Sequence, residues 1–472
     1  MAEVPTVLTA AGRVAGLERD GVVRYLGVPY AAPPVRFAPP QPVEPWSGVR
    51  ECTAPGPTAP QLPRAFGALD LTPLLGGYRP GDDYLTVDVW APAERRGGPD
   101  LPVMVFVHGG AFMSGEPGAA AYDGTALARA GVVLVSVTYR LGVEGFLPLE
   151  GGASNTGLRD QLAALRWVQD NAAAFGGDPG NVTVFGESAG GMSIGSLLGS
   201  PLSAGLFRRA IVQSGGAEME RSLPVMQAFA GRVAAELGVP ATADGFRSRS
   251  VADALEVQGR LLGPAAGDLR EPDGVDPGFG LGVYCPVVGD DVLPGRPIEN
   301  LSDVDVMLGW NSEEIRLYTV PTGAIDALTE EQAAAALGAL HPRAAELLAA
   351  GTGSPGERYT EALTELVFAG PARRLAAALP GTTHVYEFGY RSSAFGGRLG
   401  ACHGVELPFV FGTLERCSGP TALAGEDPPE ALAREATAAW VAFARTGDPG
   451  WAPWTADDPV RRRFGSPSVD VR

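Results

Sequence analysis

The chain has 472 residues, 45% of them hydrophobic and 19% charged, with a formal net charge of −18. All 36 basic side chains are arginine and no lysine occurs, which excludes a Schiff-base lysine, a phosphate loop ending in Gly-Lys-Ser/Thr, a kinase strand lysine and a Ser-x-x-Lys hydrolase. The acidic balance repels phosphate backbones and anionic bilayers, so neither nucleic acid nor a membrane is expected as a partner.

The chain opens without a charged n-region ahead of a long apolar run and carries an acidic Glu3 and an early Pro5, so no signal peptide is expected. No apolar stretch approaches the ~20 residues of a membrane span. Residues 21–30 and 84–90 read as strands, separated by a proline-rich segment, 33–63, that reads as a long ordered surface loop. Short β-branched apolar runs follow at Leu101–Val107, 132–138, 181–185, Arg209–Gln213 and 304–308. Uninterrupted apolar strands imply burial on both faces.

Between these runs lie helix candidates at 157–175, Ala189–Leu198 and 204–207. Such alternation predicts an α/β fold, a mostly parallel sheet flanked by helices. Two Ala/Leu/Glu-rich blocks, 222–262 and 324–379, interrupt the strand series and are expected to form a helical cap over one sheet end. With no internal repeat and no long linker, residues 1–472 are read as a single domain. The four cysteines, Cys52, Cys285, Cys402 and Cys417, form no CxxC pair and suit reduced thiols in the cytoplasm.

Gly186-Glu187-Ser188-Ala189-Gly190 matches Gly-x-Ser-x-Gly, and so does Gly191-Met192-Ser193-Ile194-Gly195. Context separates them. Ser188 follows a strand and opens a helix, whereas Ser193 would sit inside that helix. A serine at such a turn is exposed as a nucleophile, with a helix N-terminus behind it that favours developing negative charge. His108-Gly109-Gly110-Ala111-Phe112 follows an earlier strand, and small residues there free backbone N–H groups to face a substrate oxyanion, with the residue after the nucleophile, Ala189, supplying another donor.

Taken with further segments, these motifs give a chain that resembles the type-B carboxylesterases, the branch of the α/β-hydrolases that includes the cholinesterases. The resemblance runs through Arg24-Tyr-Leu-Gly-Val-Pro-Tyr-Ala-Ala-Pro-Pro34, Asp82-Asp-Tyr-Leu-Thr-Val-Asp-Val-Trp90, Tyr139-Arg-Leu-Gly142, Gly145-Phe-Leu147 and Asn155-Thr-Gly-Leu-Arg-Asp-Gln161. It continues through Phe175-Gly-Gly-Asp-Pro179, Gln213-Ser-Gly215, His403-Gly-Val-Glu-Leu-Pro-Phe-Val-Phe-Gly412 and Phe443-Ala-Arg-Thr-Gly-Asp-Pro449.

The resemblance implies an α/β-hydrolase that cleaves small-molecule carboxylic esters by acyl transfer, with no cofactor and no metal. It places Ser188 as nucleophile, His403 as general base, and the N–H groups of Gly110, Ala111 and Ala189 in the oxyanion hole. Of the four histidines, His108 belongs to the oxyanion loop, His341 precedes Pro342 in a helical block and His384 lies in a strand, which leaves His403 by elimination as well. The triad acid is Glu314 by resemblance, with Glu313 as its rival and Asp290 and Asp291 as a second rival pair. Ile315 stands where the family commonly has glycine.

Glu187 and Ser214 are expected to act on the triad from behind. Arg140 with Asp160 and Asp178, and Arg36 with Asp82, resemble ion pairs that brace loops in this family. Segment 52–84 has no tryptophan, and Tyr84 stands where the family has a cysteine, which argues against choline esters. Phe112, Phe146, Phe66, Phe395 and Tyr78 are candidate lining residues for an apolar pocket. Lipid esters, carbamates and amides are alternative substrates, and a non-catalytic binding protein is the reading from another class. Such binding proteins typically lack the serine or the histidine, and both are present here.

Overall fold

The computed structural model describes residues 4–94, 100–465 and 467–472. Eleven strands form the main sheet: β1 (Leu17–Arg19), β2 (Val22–Pro29), β3 (Thr86–Pro92), β4 (Leu101–Val107), β5 (Val133–Val137), β6 (Gly177–Glu187), β7 (Arg209–Gln213), β8 (Asp305–Asn311), β9 (Thr383–Phe388), β10 (Arg461–Phe464) and β11 (Val469–Val471). Their order across the sheet is β11-β10-β9-β8-β7-β6-β4-β5-β3-β2-β1. From β10 through to β5 every neighbouring pair is parallel, and the strands outside that block pair antiparallel.

The apolar runs have the physical cause their composition implied. In β4, Val103, Val105 and Val107 enter one core cluster while Met104 and Phe106 enter another on the opposite face. Both faces are covered, so polar alternation would leave unpaired groups in a dry layer. Helix α1 (Thr156–Asn171) covers one face with Leu158, Leu162 and Leu165, at the i, i+4, i+7 spacing of a single helical stripe. Helix α2 (Ala189–Leu198) is buried along its entire length, and α3 (Glu430–Thr446) closes the other face with Trp440 and Phe443.

The block 222–262 contains helices Leu223–Leu237, Ala243–Arg247 and Val251–Arg260, and the block 324–379 runs through helices from Ala324–Ala327 to Gly370–Ala378. Residues 204–207 are not helical. A single 3-10 turn, Pro201–Ser203, ends before Gly205, whose φ of +77° takes the chain into a left-handed bend. Segment 33–63 is a loop that also holds a short strand, Val49–Glu51, paired parallel with Arg13–Ala15. No helix among the described residues is long and apolar enough to cross a membrane.

Two of the expected ion pairs differ. Arg140 meets Asp160 at 2.7 Å, both almost wholly buried, but the Asp178 carboxylate instead accepts the N–H of Gly180 in its own turn. Arg36 pairs with Glu144 at 2.6 Å rather than with Asp82, because its guanidinium also donates to the carbonyls of Phe246 and Arg249 and is drawn toward that helical block. Asp160→Ala strands the Arg140 charge in the core, and urea unfolding is expected to show a loss of about 3–5 kcal/mol.

All four cysteines are free and buried. Burial pushes the thiol of Cys52 up to about 11 and those of Cys285 and Cys417 up to about 12, and it raises Cys402 as well.

Candidate active site

Because β4, β6, β7 and β8 run parallel, their carboxyl ends share one edge of the sheet, where ligand sites of open α/β sheets form. Register aligns Val107 with Gly186, and Gln213 with both Glu187 and Gly309. The residues that follow each strand are therefore neighbours: 108–112, Ser188, Ser214 and Glu314.

Ser188 sits between β6 and α2 with φ +56° and ψ −125°, a strained conformation that turns the chain sharply enough to present its side chain. The turn needs glycine on both sides. A Cβ on Gly190 would lie 1.9 Å from the Val107 carbonyl oxygen, and one on Gly186 would lie 2.6 Å from the same atom. Ser193, in the competing motif, is buried inside α2 and accepts a hydrogen bond from Gln161 Nε2 at 3.1 Å.

Gly110 and Ala111 also have positive φ, +111° and +54°. Among the described residues the N–H groups of Gly110, Ala111 and Ala189 donate to no other backbone group. The Gly110 carbonyl faces away, accepting from Met113 N–H, Ser114 N–H and Arg64 Nη1.

His403 Nδ1 lies 2.7 Å from Glu314 Oε2, and the His403 N–H also donates to the Glu314 carbonyl. The other Glu314 oxygen accepts from the Ser214 hydroxyl at 2.6 Å and from the Asn311 N–H at 2.7 Å. Glu313 points elsewhere, to Arg316, Arg391 and the Ala401 N–H. Asp290 caps the 290–293 turn and pairs with Arg159, as does Asp291. Ile315 has a φ of −71°, which any L-residue adopts, and is buried, so the missing glycine costs this turn nothing.

His403 Nε2 approaches Glu187 Oε1 at 3.0 Å, and among the described residues Ser188 Oγ has no hydrogen bond. The imidazole thus lies between two buried carboxylates. Burial opposes its charging, but Glu187 and Glu314 outweigh burial and raise its pKa. Burial pushes Glu187 up to about 8, against the pull of His403 and with support from Glu406 and Glu314. A third carboxylate, Glu406, is pushed up to about 7 by burial and by Glu314; it accepts from Gln213 Nε2 and Asn311 Nδ2. The other histidines are occupied elsewhere. His108 stacks on Tyr139 at 4.6 Å and is held neutral by burial, His384 lies in β9, and His341 Nδ1 accepts the Arg343 N–H in its own turn.

A narrow cleft of about 30 Å³ reaches Ser188 and His403 between Arg64, Phe66, Leu74, Leu75, Tyr122 and Tyr318. That volume holds water but is smaller than an ester. Phe66 is the one expected lining residue found there. Phe112 and Phe146 are buried in the core, packed on each other at 4.8 Å. Phe395 packs under the 417–425 loop with its N–H on the Pro420 carbonyl, and Tyr78 is 48% exposed. Phe368, 4.7 Å from the His403 ring between centroids, Tyr318 and Arg64 had no marker in the sequence. Glu406 did, standing one helical turn after His403.

The carboxylesterase family model matches residues 3–458. The para-nitrobenzyl esterase of Bacillus subtilis (strain 168) is 36% identical over 94% of this chain and 90% of its own length. The phenmedipham hydrolase of Pseudarthrobacter oxydans is 34% identical over 99% of this chain and 96% of its own. A solved PNB esterase structure superposes with a TM-score of 0.84 at 32% identity, covering 99% of this chain and 97% of that one. A sheet whose parallel strand ends gather serine, histidine and glutamate, and likeness along nearly the whole length, together place the chain in the carboxylesterase family as a carboxylic ester hydrolase with the α/β-hydrolase fold.

Proposed function

We propose that Ser188, His403 and Glu314 form the catalytic triad of a serine carboxylesterase for esters of small to medium apolar acids and alcohols. What carries this reading is the buried 2.7 Å contact between His403 and Glu314 beside the cleft that reaches Ser188. Ser188 Oγ attacks the ester carbonyl as His403 Nε2 takes its proton; the oxyanion meets the N–H groups of Gly110, Ala111 and Ala189, each such donor contributing about 3–4 kcal/mol. His403 returns the proton to the departing alcohol, and water repeats the sequence on the acyl-enzyme. Glu314 fixes the imidazole tautomer, and the Ser214 hydroxyl and Asn311 N–H hold Glu314.

In the resting site His403 Nε2 lies 3.0 Å from Glu187 Oε1 without forming a hydrogen bond to it, and attack requires Nε2 to face Ser188 Oγ instead. The chain acts as one domain whose helical blocks cap the strand ends. Free, protonated thiols fit a reducing cytoplasm.

An alkylphosphonate probe is expected to modify the peptide bearing Ser188, read by mass spectrometry, and hydrolysis of p-nitrophenyl esters is expected to fall as the acyl chain lengthens. A label on Ser193 contradicts the assignment. Phenmedipham belongs in the same substrate series because a relative carries its name. Glu187→Gln removes a charge that keeps His403 protonated, so the acidic limb of the kcat/KM profile is expected to move to lower pH.

A further inference from the structure

The buried arginines Arg140, Arg221 and Arg209 and the half-buried Arg159 are each met by a carboxylate, from Asp160, Asp276, Asp305 and Asp290 in turn. Arg64 is the departure. It lines the cleft that reaches Ser188, and among the described residues it has no carboxylate partner. Its guanidinium donates from Nη1 to the Gly110 carbonyl at 3.2 Å and lies 5.2 Å from the Phe66 ring centroid. Neither contact supplies negative charge. Burial lowers its pKa, which Tyr318 offsets only in part.

Guanidinium carries five N–H donors in a rigid fork, and the fork's Nε and Nη2 have no hydrogen bond to the described residues. Arg64 is half-buried and neither nitrogen is sealed from solvent, so both are open to a ligand that enters the cleft. The position is close to the chemistry, because a Cβ on Gly109, next to the carbonyl that Arg64 holds, would lie 3.1 Å from Ser188 Cβ. The rest of the cleft is apolar, apart from Tyr122, Tyr318, Ser188, His403 and Glu187, whose carboxyl burial pushes up to about 8 and so toward its neutral form. A planar anion is the ligand whose geometry fits the fork in two places.

We infer that Arg64 is a specificity-determining residue that selects esters carrying a free carboxylate near the scissile carbonyl, such as hemiesters of short dicarboxylic acids. This rests on Ser188 being the nucleophile of the cleft and names a substrate class for it. The competing role is purely structural, with Arg64 bracing the oxyanion loop through Gly110.

The test compares 4-nitrophenyl hemiglutarate, a monoanion, with its neutral methyl ester in the wild type, Arg64→Met and Arg64→Lys. The anionic-to-neutral ratio of kcat/KM is expected to fall by about tenfold or more in Arg64→Met, mainly through KM, with Arg64→Lys retaining part of the preference. Equal loss on both esters overturns the inference and leaves the bracing role. A wild type that cleaves neither ester overturns the esterase assignment instead. Binding gives a readout independent of turnover: calorimetric titration of Ser188→Ala with monomethyl glutarate is expected to weaken about tenfold when Arg64→Met is added. An unchanged Kd overturns the inference.

Discussion

Ser188→Ala is expected to lower kcat for p-nitrophenyl esters by about 10⁶ while KM changes little, leaving the residual catalysis that bound geometry and oxyanion donors supply. The size of the loss follows from what remains: without Oγ, His403 has no proton to accept, and no acyl-enzyme forms. Alanine makes the same backbone demand as serine at φ +56°, so the turn and its contacts to Gly186 and Gly190 persist. Near-UV circular dichroism should match the wild type, which separates chemistry from folding. Hydrolysis at the wild-type rate in a variant shown by mass spectrometry to lack the serine would remove the nucleophile from the scheme.

The second large effect is Glu314→Gln, expected to lower kcat by about 10⁴. The amide keeps the shape of the carboxylate, but it can turn its NH₂ toward His403 Nδ1 and fix the wrong tautomer, and it no longer stabilises the imidazolium formed during attack. Ser214 and the Asn311 N–H then hold a group of the right size and wrong charge. Glu313→Gln, one position away, should leave kcat within a few-fold, since that side chain is spent on Arg316, Arg391 and the Ala401 N–H. Steady-state assays of both variants decide between the two glutamates. A collapse confined to Glu313→Gln would move the acid by one residue.

The parallel core could be read from the sequence because each central strand is apolar on both faces; β4 and β7 begin and end where their apolar runs do. Ser188 could be picked out from Ser193 because only one of the two serines follows a strand. What stayed hidden depends on contacts between distant segments. Phe112 and Phe146 have the composition of pocket aromatics, yet they pack on each other in the core, a pairing set by how 112 and 146 meet in space. Arg36 chose Glu144 over Asp82 because the helical block beyond residue 222 pulls its guanidinium across, and no local spacing encodes that pull. The lining residues Arg64, Leu74 and Tyr318 come from one loop and two single-turn helices, Thr72–Leu75 and Arg316–Thr319, each too short to show periodicity, so only the folded chain brings them to one cleft.

The four buried, protonated thiols acquire another meaning beside a surface that carries no lysine amine. Soft electrophiles find no accessible thiolate on the folded protein, and acylating reagents find no ε-amino group, so the two side chains that normally consume such reagents are absent from its exterior. The fold thereby acts as its own protecting group: an activated acyl or phosphonyl reagent is steered to the cleft, and a tether chosen to react there would fix the molecule in a single orientation.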